Sequence, residues 1–255
     1  MPIADRFPPS DSSVDRAFAI LETFERECRP MSMTELAESC RIPASTCHNL
    51  VHTLLRRSYL YQTGHRKDLY PTRRLFDLAA RVLAHDSVLA RLDPVMESLR
   101  EATGETVILG KRQGAGIVYL AVLESPQVIR YSARAGDTKP LHSTSIGKAL
   151  LSVMDGAALR ALLTKTAMPQ VTGRSLTDAE ALLADIATGR AGGVFATHGE
   201  NVSDVTAFAV PVAINQEAYG LAVAGPSHRM DANEPAIRAA LTAARASAEA
   251  PLAGG

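Results

Sequence analysis

The 255-residue chain contains no tryptophan, and only 5% of it is aromatic. That scarcity argues against a surface on which the bases of single-stranded nucleic acid stack. It has three cysteines, Cys28, Cys40 and Cys47. They show no metal-ligand spacing, and an odd number in so long a chain points to a reducing compartment. Cys40 and Cys47 fall at apolar positions of helical patterns, so small core residues are expected there. No apolar run approaches the roughly 20 residues of a membrane span. The opening stretch, MPIADRFPPSDSS, is polar and proline-rich and has no signal-peptide core. A cytoplasmic protein with no membrane contact and a loose tail over residues 1–12 is therefore expected. Enzyme signatures are missing as well: there is no GxSxG elbow, no P-loop and no HExxH. Gly114-Ala115-Gly116 is too short for a dinucleotide fingerprint. His198 and Glu200 are too few for a metal site, so neither metal nor cofactor is expected.

Charge of one sign is scarce only locally. The formal net charge is zero, but residues 41–81 hold eight basic residues against two acidic ones, Asp68 and Asp77. Inside that segment lies Ala44–Leu60, ASTCHNLVHTLLRRSYL. Cys47, Leu50, Val51, Leu54 and Leu55 follow the i, i+3, i+4, i+7, i+8 spacing of a helix with one buried stripe. The opposite face carries Ser45, Thr46, His48, Asn49, His52, Thr53 and Arg56, and no carboxylate. Donors without acids suit a groove of phosphates and base edges. For an isolated helix, an ordinary surface face would be the better reading.

The neighbours change that balance. Ser13–Cys28 reads as a helix with Val14, Ala17, Phe18, Leu21 and Phe24 inward. Ser32-Met33-Thr34-Glu35 fits a capping box opening a second helix. Arg41-Ile42 is a tight connection, and Pro43 pre-sets the start of the third helix. Two short helices so joined match a helix-turn-helix. Strand-like Tyr59–Gln62 and Leu69–Pro71 flank a basic, glycine-containing turn over residues 63–68, so a hairpin wing carrying Arg66 and Lys67 is expected. Thr72–Asp86 reads as a linker helix with Leu75, Leu78, Ala79, Val82 and Leu83 on one side. That stripe would pack on its own domain or on a second copy, and dimerisation is favoured because one recognition helix makes few specific contacts.

From residue 87 an antiparallel sheet flanked by helices is expected, making the whole α+β. A helix should start at Asp93 with Pro94 in its first turn. Strands are expected at 105–112, 116–124, 128–134, 194–197, 207–214 and 218–225. Helices are expected at 145–153, with Ile146, Ala149, Leu150 and Val153 as its stripe, and at 156–164, 177–189 and 233–248.

The leading SVDRAFAILETF, the helix pair TELAESCRIPASTCHNLVHTLLRRSYL, the segment RAGDTKPLHSTSIGKALLS and the late AFAVPV…GLAVAGPSHR together resemble the IclR family of bacterial transcriptional regulators, over about residues 13–248. The resemblance implies a winged helix-turn-helix over 13–71, a linker helix over 72–86 and a GAF-like effector-binding domain over 87–250. It also implies dimers or tetramers on palindromic double-stranded operators, and small organic acids or aromatic catabolites as effectors. RNA polymerase is a further candidate partner.

The DNA-binding positions expected are Arg41, Ser45, Thr46, His48, Asn49, His52, Arg56, Arg66 and Lys67, with Asn49 standing where the family often has arginine. For the effector they are Leu109, Tyr119, Tyr131, Ser145, Ile146, Gly147, Asp204, Ala207, Phe208, Ala222 and Ala224. Ser145-Ile146-Gly147 would offer helix-N-terminal amides to an anion. Ala207, Ala222 and Ala224 replace polar residues common in the family. A pocket so methylated favours a carboxylate with an apolar or aromatic body over a small hydroxylated acid. The competing reading is a small-molecule binder or enzyme whose N-terminal helices make protein contacts.

Overall fold

The structure is a computed structural model and describes residues 12–64 and 67–251. It divides after Asp86 into two compact units. In the first, α1 (Ser13–Glu27), α2 (Met33–Cys40) and α3 (Ala44–Arg56) precede a hairpin of β1 (Leu60–Thr63) and β2 (Asp68–Pro71). The hairpin pairs Leu60 with Pro71 through Thr63 with Asp68. The capping box at Ser32 and Glu35 is present in both directions. Arg41 ends α2 in the left-handed conformation, φ 53°, a place that usually favours glycine. Its amide bonds back to Ala37 and Glu38, and the buried Ile42 then turns the chain into α3.

Ile20, Phe24, Met31, Leu36, Cys40, Ile42, Cys47, Val51, Leu60 and Leu69 form one core under these elements. The inward face of α1 differs from the expected stripe. Ile20, Thr23 and Phe24 are buried, whereas Val14 and Phe18 are more than half exposed. Only the C-terminal half of α1 lies over the core, with Thr23 set against Cys40. α4 (Arg74–Leu83) follows and has no buried residue.

The second unit holds a six-stranded antiparallel sheet in the order β5-β4-β3-β8-β7-β6. Its strands are β3 (Thr106–Gln113), β4 (Gly116–Leu123), β5 (Thr138–Pro140), β6 (Phe195–His198), β7 (Val205–Ile214) and β8 (Glu217–Pro226). One face packs on α5 (Ser87–Thr103), α9 (Ser227–Ala232) and α10 (Glu234–Glu249) through Leu92, Met96, Leu99, Ile237 and Leu241. The other packs on α6 (Ser145–Ser152), α7 (Gly156–Leu163) and α8 (Ala179–Gly192) through Ile146, Leu150, Leu159, Leu182 and Ile186.

Three sequence expectations are corrected here. α5 runs through Pro94 instead of starting at it. Pro94 and Ala90 lie on the exposed face, so water can take the carbonyl that the proline frees, while Leu92 and Met96 hold the helix to the core. Residues 128–134 are not a strand: Val128 and Ile129 are 94% and 70% exposed, and the edge strand β5 lies downstream at 138–140. All eight residues of α6 are buried, not one stripe of it, while Val153 beyond its end is exposed.

Candidate functional site

α3 begins after Pro43, whose carbonyl accepts from Cys47 N at 2.9 Å. Cys47 and Val51 are buried, which turns Ser45, His48, Asn49, His52 and Arg56 outward; all are exposed, and Thr46 is half-buried. The His48 and His52 rings lie near-parallel one turn apart, 6.4 Å between centroids. Arg41 is exposed at the turn before α3, and Lys67 is exposed at the hairpin with φ 56°. Arg66 lies outside the described residues. The exposed face of α3 carries no carboxylate, so nothing on it repels phosphate.

In the second unit a cavity opens between the sheet and the start of α6. Its space, mouth and adjoining open solvent included, is about 400 Å³. Ile108, Ala207, Ala222 and Ala224 form its floor. The register places Ala222 between Ile108 and Ala209, and Ala224 between Thr106 and Ala207, so short methyl side chains across β7 and β8 leave room above them. One wall is polar: Ser143, Thr144, Ser145, Thr197 and Asn201. Ser143 Oγ lies 3.5 Å from Asn201 Oδ1. Tyr119 and Tyr131 close another side. Burial, reinforced by Tyr131 beside it, holds the Tyr119 phenol well above its usual pKa, so it stays protonated. Among the described residues, no acidic or basic side chain lines the cavity.

α6 supplies the anion-attracting feature. Thr144 caps it, its hydroxyl accepting from Gly147 N at 3.1 Å, which leaves the first amides, Ser145 and Ile146, without intrahelical acceptors. Gly147 itself faces Leu141, where a Cβ would fall 1.9 Å from the carbonyl oxygen. It allows the close approach and does not line the cavity.

The structure thus gathers Tyr119, Tyr131, Ser145, Ile146, Ala207, Ala222 and Ala224 around one space. Four expected positions stand elsewhere. Leu109 and Phe208 point to the opposite face, into the core under α5 and α10, because successive strand residues alternate. Asp204 is exposed on the turn before β7, and Gly147 packs as described. Sequence reasoning missed Ile108, Ser143, Thr144, Thr197, Asn201, Val202 and Val205. Ser143 and Thr144 directly precede the recognised Ser145, and Ile108 is the alternation partner of Leu109, so part of the signal was present.

A helix-turn-helix with a hairpin wing, joined in one chain to a domain with a methyl-floored, helix-capped cavity, defines a DNA-reading regulator with a small-molecule sensor. Residues 13–64 match the IclR helix-turn-helix domain, and residues 80–251 match the bacterial transcriptional regulator IclR C-terminal domain. The chain belongs to the IclR family of bacterial transcriptional regulators, and it is a regulator, not an enzyme.

Among its relatives is the HTH-type transcriptional regulator KdgR of Escherichia coli, 32% identical over 223 residues, spanning 88% of this chain and 83% of KdgR. The Thermotoga maritima IclR structure superposes with a TM-score of 0.77 at 20% identity, covering 93% of this chain and 99% of that one. An IclR homolog from Microbacterium hydrocarbonoxydans, solved in complex with 4-hydroxybenzoate, gives 0.73 at 24% identity, covering 93% and 98%.

Proposed function

We propose that this protein is the ligand-responsive switch of a catabolic operon in the bacterial cytoplasm. It places α3 in the major groove of a palindromic operator and Lys67 with Arg66 on the phosphates of the wing side. Residues 13–71 serve as the DNA-binding domain, 72–86 as linker and 87–250 as effector domain. The effector is a small organic acid with one carboxylate and an apolar or aromatic body. The observation that carries this reading is the cavity itself. Its one anion-attracting feature is the α6 N-terminus beside a hydroxyl-lined wall, and its floor is Ile108 with three alanines. A ligand rich in hydroxyls would leave polar groups unpaired on that floor, whereas an aromatic ring fills it. The 4-hydroxybenzoate held by the Microbacterium relative is an acid of this kind.

A second copy completes the regulator. α4 exposes Phe76, Leu78, Val82 and Leu83, and α1 exposes Val14 and Phe18, more apolar surface than a lone helix-turn-helix unit leaves without use. Dimers, or tetramers built from them, match the two half-sites of a palindrome. Effector binding shifts operator affinity by favouring one arrangement of the assembly.

Titration calorimetry on the full chain tests the effector class. Benzoate and 4-hydroxybenzoate are expected to bind at least about tenfold more tightly than glyoxylate or pyruvate, the margin of one well-placed apolar contact; the reverse order overturns the assignment. Gel shifts on the region upstream of the protein's own gene test the DNA side. Asn49→Ala should lose discrimination between operator and random DNA, since an amide reads adenine edges. Lys67→Ala should weaken both alike and lower the salt slope by about one. Identical behaviour of the two variants would remove α3 from the groove.

A further inference from the structure

Lys148 is fully buried, a charged side chain with no solvent exposure. It lies one turn into α6, three residues after Ser145. Its Nζ donates to Glu200 Oε1 at 2.7 Å and to the Ala196 carbonyl at 3.1 Å, and pairs with Asp185 Oδ2 at 2.8 Å. Of its three ammonium protons, two go to Glu200 and Ala196, and the charge also faces Asp185. Lys148 is absent from the cavity wall.

Its partners sit at a telling place. Ala196 lies on β6 and Glu200 on the turn that follows, and Thr197 and Asn201, which line the cavity, belong to the same stretch. That turn also carries a second segment. Thr172 Oγ1 donates to the Gly199 carbonyl at 2.7 Å, and Ser175 Oγ donates to the Glu200 carbonyl at 2.7 Å. Lys148 therefore joins, alongside the long Ser143–Asn201 hydrogen bond, the two halves of the polar wall: Ser143 to Ser145 at the start of α6, and Thr197 with Asn201 across from them.

Stability does not account for this arrangement. Burying a cation with its carboxylates costs desolvation that their attraction scarcely repays, and apolar replacements of similar size are often equally stable. What such a pair supplies is direction, because charge-assisted hydrogen bonds are short and strongly oriented. We propose that Lys148 is a positioning residue of the effector site. By holding Glu200 and Ala196 it sets the distance between the 197–201 turn and the α6 N-terminus, and hence the affinity for the acid. The inference rests on the reading of the cavity as the effector site.

The test uses the full chain, calorimetry with benzoate and 4-hydroxybenzoate as probes, and thermal melting of the same samples. Lys148→Met combined with Glu200→Met removes both buried charges together, while Asp185, 40% exposed, stays solvated. Glu200→Ala removes the hold on the turn but keeps Lys148 on Asp185 and Ala196. Glu200→Gln keeps an acceptor at the position of Oε1. The double variant and Glu200→Ala should each bind the probes about tenfold more weakly, the equivalent of one lost oriented contact. Glu200→Gln should bind like the unaltered protein, a rescue by shape that a loss of bulk stability would not produce. Ile186→Val, a core change in α8 away from the cavity, should lower the melting temperature and leave affinity unchanged. If the double variant fails to fold, the comparison of Glu200→Ala with Glu200→Gln decides. Equal affinity of Glu200→Ala and the unaltered protein, or equal losses for the alanine and glutamine variants, overturns the role of Lys148. Failure of the unaltered protein to bind either acid overturns the effector reading itself, and the role of Lys148 falls with it.

Discussion

His142 precedes α6 and is only 1% exposed. Its Nε2 lies 2.9 Å from the Pro169 carbonyl, which can only accept, so Nε2 carries the proton. Nδ1 is buried without a partner among the described residues. Charging the ring would put a second proton there, and burial, with Lys148 nearby, holds its pKa below the usual histidine value. The unfolded chain therefore takes up the proton first as pH falls. Stability from this group is complete above about pH 6.5 and is lost progressively below it. Melting curves between pH 7.5 and pH 5 should show this loss, and His142→Gln, which keeps a donor for Pro169, should reduce it. An unchanged pH slope in the variant would dismiss the histidine as its source. The thiols follow the same physics: burial pushes Cys47 up to about 11 and raises Cys40. Both are protonated core residues, as their places in the helical stripes imply.

At the scale of the element, α6 governs the site. Every residue from Ser145 to Ser152 is buried, and the helix is brought against residue 141 by the missing side chain of Gly147. An added methyl would meet the Leu141 carbonyl oxygen 1.9 Å away, and a backbone atom cannot step aside cheaply. Gly147→Ala should therefore lower unfolding free energy by about 3 kcal/mol or more, at the upper end of overpacking costs. Urea denaturation reads this directly, and a variant as stable as the parent would show that α6 stands farther from residue 141. β3 and β4 carry the second element-scale feature. Their register shifts between Leu109 and Gly110, so Leu120 and Ala121 both turn to the α5–α10 face while Tyr119 and Val122 face the cavity side. Such a bulge re-aims side chains beside a site.

For the whole molecule, the proposed second copy would dock on the exposed apolar residues of α1 and α4. Phe76→Asp with Val82→Asp places charges on a face where Phe76 is 64% and Val82 65% exposed. In a lone chain these changes are nearly neutral for folding. At an interface they would each leave a charge buried and unpaired. Sedimentation should show the double variant shifted to monomer with its melting temperature little altered, and operator binding should weaken with the loss of the second half-site. A variant that still sediments as the parent assembly would place the interface elsewhere.

Short-range physics made much of this protein legible in its sequence. The capping box at Ser32 and Glu35, the Pro43 start of α3, the acid-free face from Ser45 to Arg56 and the Ser145 helix start all depend on residues a few positions apart. Periodicity and capping report such relations directly. What only the tertiary structure decided depends on distant partners. Whether Ile108 or Leu109 faces the cavity depends on how β3 pairs with β4 and β8, and a strand's alternation shows two faces without saying which is which. The course of α5 through Pro94 depends on a core that holds it from one side. Nothing in the sequence around Lys148 marks it as buried, and its burial is possible only because acceptors 48 and 52 residues away converge on its ammonium. A buried charge is a property of the partners that surround it, and the fold alone brings them together.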